Sequence, residues 1–317
     1  MYFGFDPEFF LFKGKKAVPA HLGGFEPKTP GSGLQVFRDG AAVELNGSPN
    51  SCAAFAINGI YGNRQAAHAR ARMKGFHLKA RSAVLMDPAD MYDAPPDLFE
   101  SGCNPSWNAY APGKPNRPDL DLRTHPYRYA GGHFHFSYFA NVKEASILDF
   151  VKLLDLFIGV PETFLLGNEG TFLRRRFYGR AGEYRFGPAA HGHIRVEYRT
   201  PGSEVWNHVI FPSLFCQVAR AVDYYFKDLR PQLTRDLEER VQRAINTGEG
   251  AEDLLMPIRR PYSPDSGNLY TPELLKRIKK YMGLRRFVLK RKWPEAHAGF
   301  SEHIQLWKLQ EGDPSKG

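Results

Sequence analysis

The chain has 317 residues, of which 42% are hydrophobic and 14% aromatic, and its formal charge is +9. This length and composition predict a sizeable core in one large domain or two smaller ones, and they exclude a disordered chain. No run approaches the roughly 18 apolar residues of a membrane span, and the N-terminus shows no basic-then-apolar leader. We therefore expect a soluble cytoplasmic protein with no membrane partner.

The excess positive charge is local. Between Lys276 and Lys292 the chain has nine basic residues and no acidic one, a charge equal to the whole excess. Such a run is either a solvated helix face or a surface for an anionic partner, such as a nucleotide, an acidic polymer or an acidic protein. The three cysteines, Cys52, Cys103 and Cys216, form no CxxC pair, so neither a disulfide framework nor a thiolate zinc site is predicted.

The first predicted strand covers residues 2–12. Its alternation places aromatic residues on one side and leaves Asp6 and Glu8 to share the other. Pro7 within the strand indicates an edge position or a bulge, because proline cannot donate to a ladder.

A hairpin follows over residues 36–46, with the turn at Asp39-Gly40, a strong hairpin signal. Residues 48–72 are rich in alanine and predict a helix, and residues 83–87 predict a strand. The segment 93–126 is dense in Pro, Asn, Gly and Asp. A loop of that length is usually functional, and its aromatic centre favours an ordered loop that could close over a ligand.

The run Gly131–Phe136 contains two histidines two residues apart. A strand here puts His133 and His135 on one face and the two phenylalanines on the other. Residues 143–158 show helical spacing of apolar residues and predict a core-facing helix.

Residues 174–187 contain five arginines with glycines and no hydrophobic periodicity. This composition predicts a mobile basic loop suited to polyphosphate, because guanidinium groups and glycine amides present several donors to anionic oxygens; a solvated turn is the alternative. Further helices are predicted over 204–226, interrupted by Pro212, over 234–246, and from Thr271 through the basic run. A strand-rich first two-thirds followed by a helical last third argues for an α+β fold.

Four strand-like runs each carry two polar residues at period two, which suits one sheet face lined with metal and phosphate ligands. The pairs are Asp6 and Glu8, Glu44 and Asn46, His133 and His135, and Glu197 and Arg199. Converging carboxylates suit a Mg²⁺-bound nucleotide, whereas zinc asks for more histidine or cysteine. Two other classes stay open: a metal-dependent hydrolase that uses His133 and His135, and a non-catalytic nucleic-acid-binding protein that uses residues 276–292.

Five short motifs occur in order along roughly residues 2–210. They are Gly4-Phe5-Asp6-Pro7-Glu8-Phe9, Asp39-Gly40 with Val43-Glu44-Leu45-Asn46, Gly131-Gly132-His133-Phe134-His135, Tyr178-Gly179-Arg180-Ala181-Gly182-Glu183-Tyr184-Arg185 and Val196-Glu197-Tyr198-Arg199. Together they resemble the carboxylate–amine ligases, or amidoligases, of the glutamine synthetase and glutamate–cysteine ligase fold, in particular those predicted in bacteriophage genomes.

The resemblance implies a curved antiparallel sheet around ATP and two or three Mg²⁺ or Mn²⁺ ions, with helices on its outer face. It implies a ligase that joins a carboxylate substrate and an amine substrate in an amide, through an acyl phosphate. The catalytic core is expected over residues 1–230 and a helical basic extension over 231–317. The basic segment 276–292 is expected to recruit an acidic polymer or protein, and the compartment is the host cytoplasm if a phage encodes the chain.

The resemblance also assigns roles by position. The implied metal ligands are Asp6, Glu8, Glu44, Glu197 and one or both of His133 and His135. The implied nucleotide-binding residues are Arg174, Arg175, Tyr178, Arg185 and Arg199, and the implied catalytic residues are Arg185, Arg199 and His133.

Overall fold

The computed structural model describes residues 1–28, 35–92, 94–99, 106–116, 120–139, 144–188, 193–224 and 226–254. They all belong to one compact unit of the chain. Cys103, the helix predicted from Thr271 and the basic segment 276–292 lie outside the described residues, and the domain boundary between residues 230 and 231 stays a prediction.

The described residues form twelve strands and eight helices. The strands are β1 (Tyr2–Lys13), β2 (Lys16–Val18), β3 (Val36–Asp39), β4 (Ala42–Leu45), β5 (His77–Lys79), β6 (Ala83–Leu85), β7 (Ser106–Asn108), β8 (Pro115–Asn116), β9 (Tyr127–Tyr129), β10 (Gly132–Phe139), β11 (Glu183–Pro188) and β12 (His193–Tyr198). The helices are α1 (Ala53–Met73), α2 (Pro88–Met91), α3 (Glu144–Leu154), α4 (Val160–Leu166), α5 (Glu169–Arg175), α6 (Ile210–Tyr224), α7 (Phe226–Leu229) and α8 (Arg235–Thr247). Short 3₁₀ turns cover Ala20–Gly23, Pro96–Phe99, Ser203–Asn207 and Arg230–Gln232, and Asp155–Gly159 is π-helical.

One large sheet dominates the fold, with the strand order β3-β4-β1-β10-β12-β11-β7-β8. Strands β2 and β5 pair with the C-terminal end of β1, and β6 and β9 form a separate two-stranded sheet. All the strand pairs in the described part of the chain are antiparallel. The predicted α+β class with an antiparallel sheet is confirmed.

The first strand lies inside the sheet, between β4 and β10, so the edge position predicted from Pro7 is wrong. Pro7 is opposite Gly132 of β10, and the pairing with β4 starts only at Glu8. The proline is tolerated because no ladder bond to β4 is needed at its position.

The apolar face of the sheet follows from the period-two alternation and packs against helices. Phe134 of β10 contacts Phe5 and Trp206, at 5.3 and 5.8 Å between ring centroids, and Phe215 of α6 at 5.7 Å. Phe136 meets Phe150 of α3 edge to face. Because these aromatic rings occupy one face, the polar residues between them must point to the other.

Asp155 opens the π-helical segment and is fully buried. It accepts hydrogen bonds from the Tyr198 hydroxyl at 2.7 Å, from the Thr200 hydroxyl at 3.1 Å and from the Gly182 amide. Burial raises the pKa of Asp155 to about 7, although these hydrogen bonds oppose the shift. This carboxyl group therefore joins the helical layer to the end of β12 and to the turn before β11.

Two segments predicted as loops contain regular structure. Within 93–126, β7 and β8 extend the sheet, and within 174–187, α5 ends at Arg175 and β11 begins at Glu183. The prediction of a mobile basic loop is wrong, because long-range pairing with β12 and burial of the first arginines override a composition that has no periodicity.

The helices predicted over residues 48–72, 143–158 and 234–246 are present as α1, α3 and α8, whereas the one predicted over 204–226 starts only at Ile210, after the 3₁₀ turn Ser203–Asn207. Helix α1 begins at Ala53, and α8 begins after Thr234, whose hydroxyl accepts a hydrogen bond from the Leu237 amide, as is typical of an N-cap. Instead of interrupting a helix, Pro212 lies in the first turn of α6, where a missing amide hydrogen costs nothing. None of the described helices is long and apolar enough to cross a bilayer.

Candidate functional site

The strand register brings the predicted polar pairs to one face of the sheet. Direct neighbours across strands are Asp6 and His133, Glu8 and Glu44, His135 and Glu197, and Glu197 and Arg185. This face forms the floor of a cavity of about 620 Å³ that all of these residues line. A cavity of that size is within the range of small-molecule sites.

Three side chains from three neighbouring strands form what we call the histidine cluster: Asp6, His133 and Glu197. One ligand atom from each lies within 4.8 Å of the others. Nδ1 of His133 is 3.3 Å from Oδ1 of Asp6 and 3.8 Å from Oε1 of Glu197. His135 lies beside the cluster, with its Nε2 3.0 Å from Oδ2 of Asp6.

The electrostatics of the histidine cluster favour ionised carboxylates. Burial by itself raises the pKa of Asp6, but the charges of His135 and His133 outweigh it and hold that pKa well below its ordinary value. Burial likewise opposes ionisation of Glu197, but the charges of Arg199, His135 and His133 together outweigh it, so the pKa of Glu197 is lowered. Burial lowers the pKa of His135 and the Asp6 carboxylate raises it. The net result is a pKa above the ordinary value.

A second group, the carboxylate cluster, consists of Glu8, Asp39 and Glu44, again with ligand oxygens within 4.8 Å of one another. Asp39 ends β3 at the predicted hairpin turn, where Gly40 has a φ of 51°. Burial and the neighbouring Glu8 raise the pKa of Asp39 to about 6, and burial and the charges of Asp6, Asp39 and Glu8 raise that of Glu44 well above its usual range. Lys28 lies beside this cluster, with its Nζ 3.9 Å from Oε1 of Glu44.

The donor sets of both clusters fit hard divalent cations. Three clustered carboxylates repel one another unless a cation lies between them, and carboxylate oxygens are the ligands that Mg²⁺ and Mn²⁺ prefer. Two buried atoms, Oδ1 of Asp6 in the histidine cluster and Nε2 of His135 beside it, make no well-directed hydrogen bond to another described residue. A ligand set with such orphaned atoms has capacity left for a bound ion.

Two of the predicted arginines line the cavity. Arg199 forms a short ion pair with Glu197, and its Nε is 3.7 Å from Oε1 of the buried Glu183. Arg185 of β11 is 3.5 Å from Oε1 of Glu197 through Nη1, while its buried Nε and Nη2 have no hydrogen-bond partner among the described residues. Arg185 therefore has donors to offer to an anionic ligand.

The structure does not bring Arg174 and Arg175 to the cavity. Arg174 is fully buried and donates to the carbonyl oxygens of Thr200 and Arg199, at 3.0 and 2.8 Å. Arg175 forms a buried ion pair with Glu162 and donates to the hydroxyl of Thr163 and the carbonyl of Ile245. Both guanidinium groups are bound to buried partners within the fold, which leaves them outside the set of cavity-lining phosphate ligands.

Tyr178, predicted to bind nucleotide, contacts a member of each cluster. Its hydroxyl donates to Oε2 of Glu8 at 2.9 Å and lies 3.1 Å from Nε2 of His133. The Gly131 amide donates to the same Glu8 oxygen at 2.5 Å. In this structure Tyr178 therefore supports ligand residues.

Sequence reasoning missed Arg38, Asp39 and Asp97, which line the cavity wall. Asp39 appeared only as a turn residue, although an acidic side chain at the end of a strand neighbouring Glu44 was a usable signal. Arg38 and Asp97 form a two-pronged ion pair, with both N–O distances at 2.9 Å. This pair joins the 3₁₀ turn Pro96–Phe99 to the strand that carries Asp39, and no local pattern predicts it because the two residues lie in separate segments.

Comparisons with known proteins found similarity to a ligase family and to a solved structure. Residues 123–263 match the family model described as phage phiEco32-like COOH.NH2 ligase-type 2, which confirms the resemblance to carboxylate–amine ligases over that part of the chain. A solved structure described as a novel glutamine synthase homolog matches with a TM-score of 0.45 and 14% identity. That match covers 91% of this chain and 66% of the other. No curated protein matches the chain.

Proposed function

We propose that this protein is an ATP- and Mg²⁺-dependent ligase that joins a carboxylate and an amine in an amide, through an acyl phosphate. The observation that carries the proposal is the pair of clusters on one sheet face, next to the donors of Arg185 and Arg199, in a chain that matches a COOH.NH2 ligase family. A site with two groups of anionic ligands and adjacent guanidinium groups suits a metal-bound polyphosphate.

Each cluster would bind a separate cation. Glu8, Asp39 and Glu44 would hold one cation, and Asp6, His133 and Glu197 another. Divalent cations bound there would neutralise the phosphate oxygens of ATP and align its terminal phosphoryl group.

The two cavity arginines would stabilise the negative charge of the phosphoryl group during its transfer. The free donors of Arg185 would bind the transferring phosphoryl group, and Arg199, fixed by Glu197 and Glu183, would hold its own donors in a constant direction. A carboxylate is a poor acyl donor because its oxygen leaves badly. When it accepts the phosphoryl group, that oxygen becomes part of a phosphate, which departs as the C–N bond to the amine forms and the amine loses a proton.

The test is positional isotope transfer. The full chain is incubated with ATP, Mg²⁺ and pools of amines and of carboxylates labelled with ¹⁸O, and ADP, phosphate and amide are measured by mass spectrometry. We expect one ADP for each amide and one ¹⁸O transferred from carboxylate to phosphate. The Arg185→Ala variant serves as the active-site control and should lose the ADP signal.

Two results would contradict the proposal. Amide formation without ¹⁸O in the phosphate would exclude an acyl phosphate. Absence of ATP binding in calorimetry, combined with metal-dependent hydrolysis of amides or esters without nucleotide, would favour the hydrolase class.

A further inference from the structure

The hydroxyl of Tyr178 is placed between the two clusters. On one side it donates to Oε2 of Glu8 at 2.9 Å, and on the other it lies 3.1 Å from Nε2 of His133. Glu8 belongs to the carboxylate cluster and His133 to the histidine cluster. One oxygen atom therefore contacts one ligand residue from each group.

The hydrogen-bond inventory determines which way these bonds run. A phenol has a single hydrogen, and an ionised carboxylate can only accept, so the Tyr178 hydrogen is committed to Glu8. The phenol oxygen can then only accept from His133, which places the ring hydrogen on Nε2. In a neutral imidazole the lone pair is then on Nδ1.

Nδ1 is also the nitrogen that faces the other ligands, at 3.3 Å from Asp6 and 3.8 Å from Glu197. The tautomer set by Tyr178 is thus the one that can bind a cation between these groups. A second partner that orients a ligating histidine is a general feature of metal sites, and its loss usually weakens metal binding 10- to 100-fold.

The surroundings hold the Tyr178 ring in place. The guanidinium of Arg174 lies 4.1 Å from the ring centroid and that of Arg199 5.1 Å. Arg174 is in turn fixed by two backbone carbonyls of the chain that follows β12. The burial of Arg174, which removes it from the cavity, gives the tyrosine a rigid support.

Gly131 leaves the space that this contact needs. A Cβ atom at this position would overlap both Nε2 of His133 and the Tyr178 hydroxyl. The glycine before the histidine strand therefore permits the tyrosine to approach the imidazole, while its own amide binds the same oxygen of Glu8.

We propose that Tyr178 is a positioning residue shared by the two clusters: its hydroxyl sets His133 to bind a cation through Nδ1 and at the same time holds Glu8. This inference rests on the proposed function in that both clusters bind divalent cations. It differs from the nucleotide contact predicted for Tyr178, because the residue acts through two ligands.

The experiment compares the full-length wild-type protein with Tyr178→Phe, which keeps the ring and removes only the hydroxyl. Tyr129→Phe is the matched control, since it removes a hydroxyl that lies 2.7 Å from Nε2 of His125, a pair that does not line the cavity. Mn²⁺ binding is measured by calorimetry and by the electron paramagnetic resonance of free Mn²⁺. We expect two sites in wild type, both weakened 10- to 100-fold in Tyr178→Phe, and unchanged binding in Tyr129→Phe.

A second measurement does not depend on any variant. Long-range ¹H–¹⁵N NMR of the metal-free wild type at a pH where His133 is neutral should show its ring hydrogen on Nε2, and Tyr178→Phe should reduce that preference. A ring hydrogen on Nδ1 in wild type would overturn the inference.

The outcomes separate the two proposals. If wild type binds two Mn²⁺ ions and Tyr178→Phe binds them equally well, the positioning role is overturned and the proposed function stands. If wild type binds no Mn²⁺ and forms no ADP, the proposed function falls, and the positioning role falls with it.

Discussion

Glu8 and Glu44 face each other as a direct pair between β1 and β4, and both side chains are buried. Like charges opposite each other destabilise a sheet by up to about 1 kcal/mol, so the fold retains this pair at the expense of stability. Such an arrangement is understandable if a cation between the carboxylates is part of the working protein.

The first prediction concerns that pair. Glu44→Gln should raise the free energy of unfolding of the metal-free protein by about 1 kcal/mol, because it removes the repulsion. In wild type, a divalent cation at a hundred times its Kd for the carboxylate cluster should add about 2.7 kcal/mol from that site. The variant should lose most of this contribution and keep the one from the histidine cluster. Denaturant unfolding with and without Mg²⁺ measures both effects.

Glu239→Gln, on the exposed surface of α8, is the control and should leave both values unchanged. A Glu44→Gln variant that Mg²⁺ stabilises as strongly as wild type would contradict the prediction.

The second prediction concerns pH. The pKa of Asp155 is about 7 in the folded protein against an ordinary 3.8, so between these values the folded state keeps a proton that the unfolded state has released. The stabilisation is therefore fully present below about pH 4 and is lost as pH rises to about 7, by an amount on the order of 4 kcal/mol for a fully buried group.

Unfolding curves of wild type and Asp155→Asn at several pH values test this. The stability difference between the two proteins isolates Asp155 from other titrating groups. The stability difference between wild type and Asp155→Asn should be largest near pH 4 and become smaller towards pH 8. A difference that stays constant across this range contradicts the raised pKa of Asp155.

The third prediction separates the arginines. Arg185→Ala should lower the rate of ADP formation by about 10²- to 10³-fold, as expected for loss of a donor to transferring charge, with a melting temperature close to wild type. Arg174→Ala should instead destabilise the protein by about 3 kcal/mol or more, because it empties a buried, hydrogen-bonded position. Melting curves and ADP assays of the two variants, run side by side, distinguish the ligand role of Arg185 from the structural role of Arg174. Equal destabilisation by both substitutions would contradict this distinction.

The fourth prediction concerns the two histidines. His133→Ala removes a cluster member and the partner of Tyr178, whereas His135→Ala removes a neighbour of Asp6. We expect His133→Ala to weaken Mn²⁺ binding at least 10-fold more than His135→Ala, with the same order for ADP formation. Wild-type activity in both variants would remove β10 from the site.

The fifth prediction uses a pair of glycines. Gly131→Ala should displace the His133 ring or the Tyr178 hydroxyl and reduce Mn²⁺ affinity, because the added methyl group has no room. Gly59→Ala, in the middle of α1 with nothing within 4 Å of the added atom, should stabilise the protein by about 0.5–1 kcal/mol. Metal titration and thermal unfolding of both variants would be compared, and unchanged Mn²⁺ binding in Gly131→Ala would rule out the crowding argument.

Period-two pairs such as His133 and His135 were sufficient to predict which residues share a sheet face, because alternation is a local property of a strand. The order of the strands is set by long-range pairing. The sequence alone could therefore suggest that Asp6, His133 and Glu197 belong to one site, and only the fold places Asp6 and Glu197 on opposite sides of β10.

The arginines show where local reading fails. The run from Arg174 onwards has the composition of an anion-binding loop, yet its first two members are buried by partners that lie far along the chain, such as Glu162 and the carbonyl of Thr200. Arginine side chains serve equally well as ligands for phosphate and as internal bridges. Only burial and partners distinguish the two uses.

The order of the strands along the chain has a consequence for biosynthesis. All residues of the carboxylate cluster have been made once the ribosome has passed Glu44, and β1 can pair early with its neighbours β2, β4 and β5. The histidine cluster requires Glu197, which follows roughly ten seconds or more later at usual elongation rates. The complete site therefore exists only after β12 has been made, however early β1 and β4 pair.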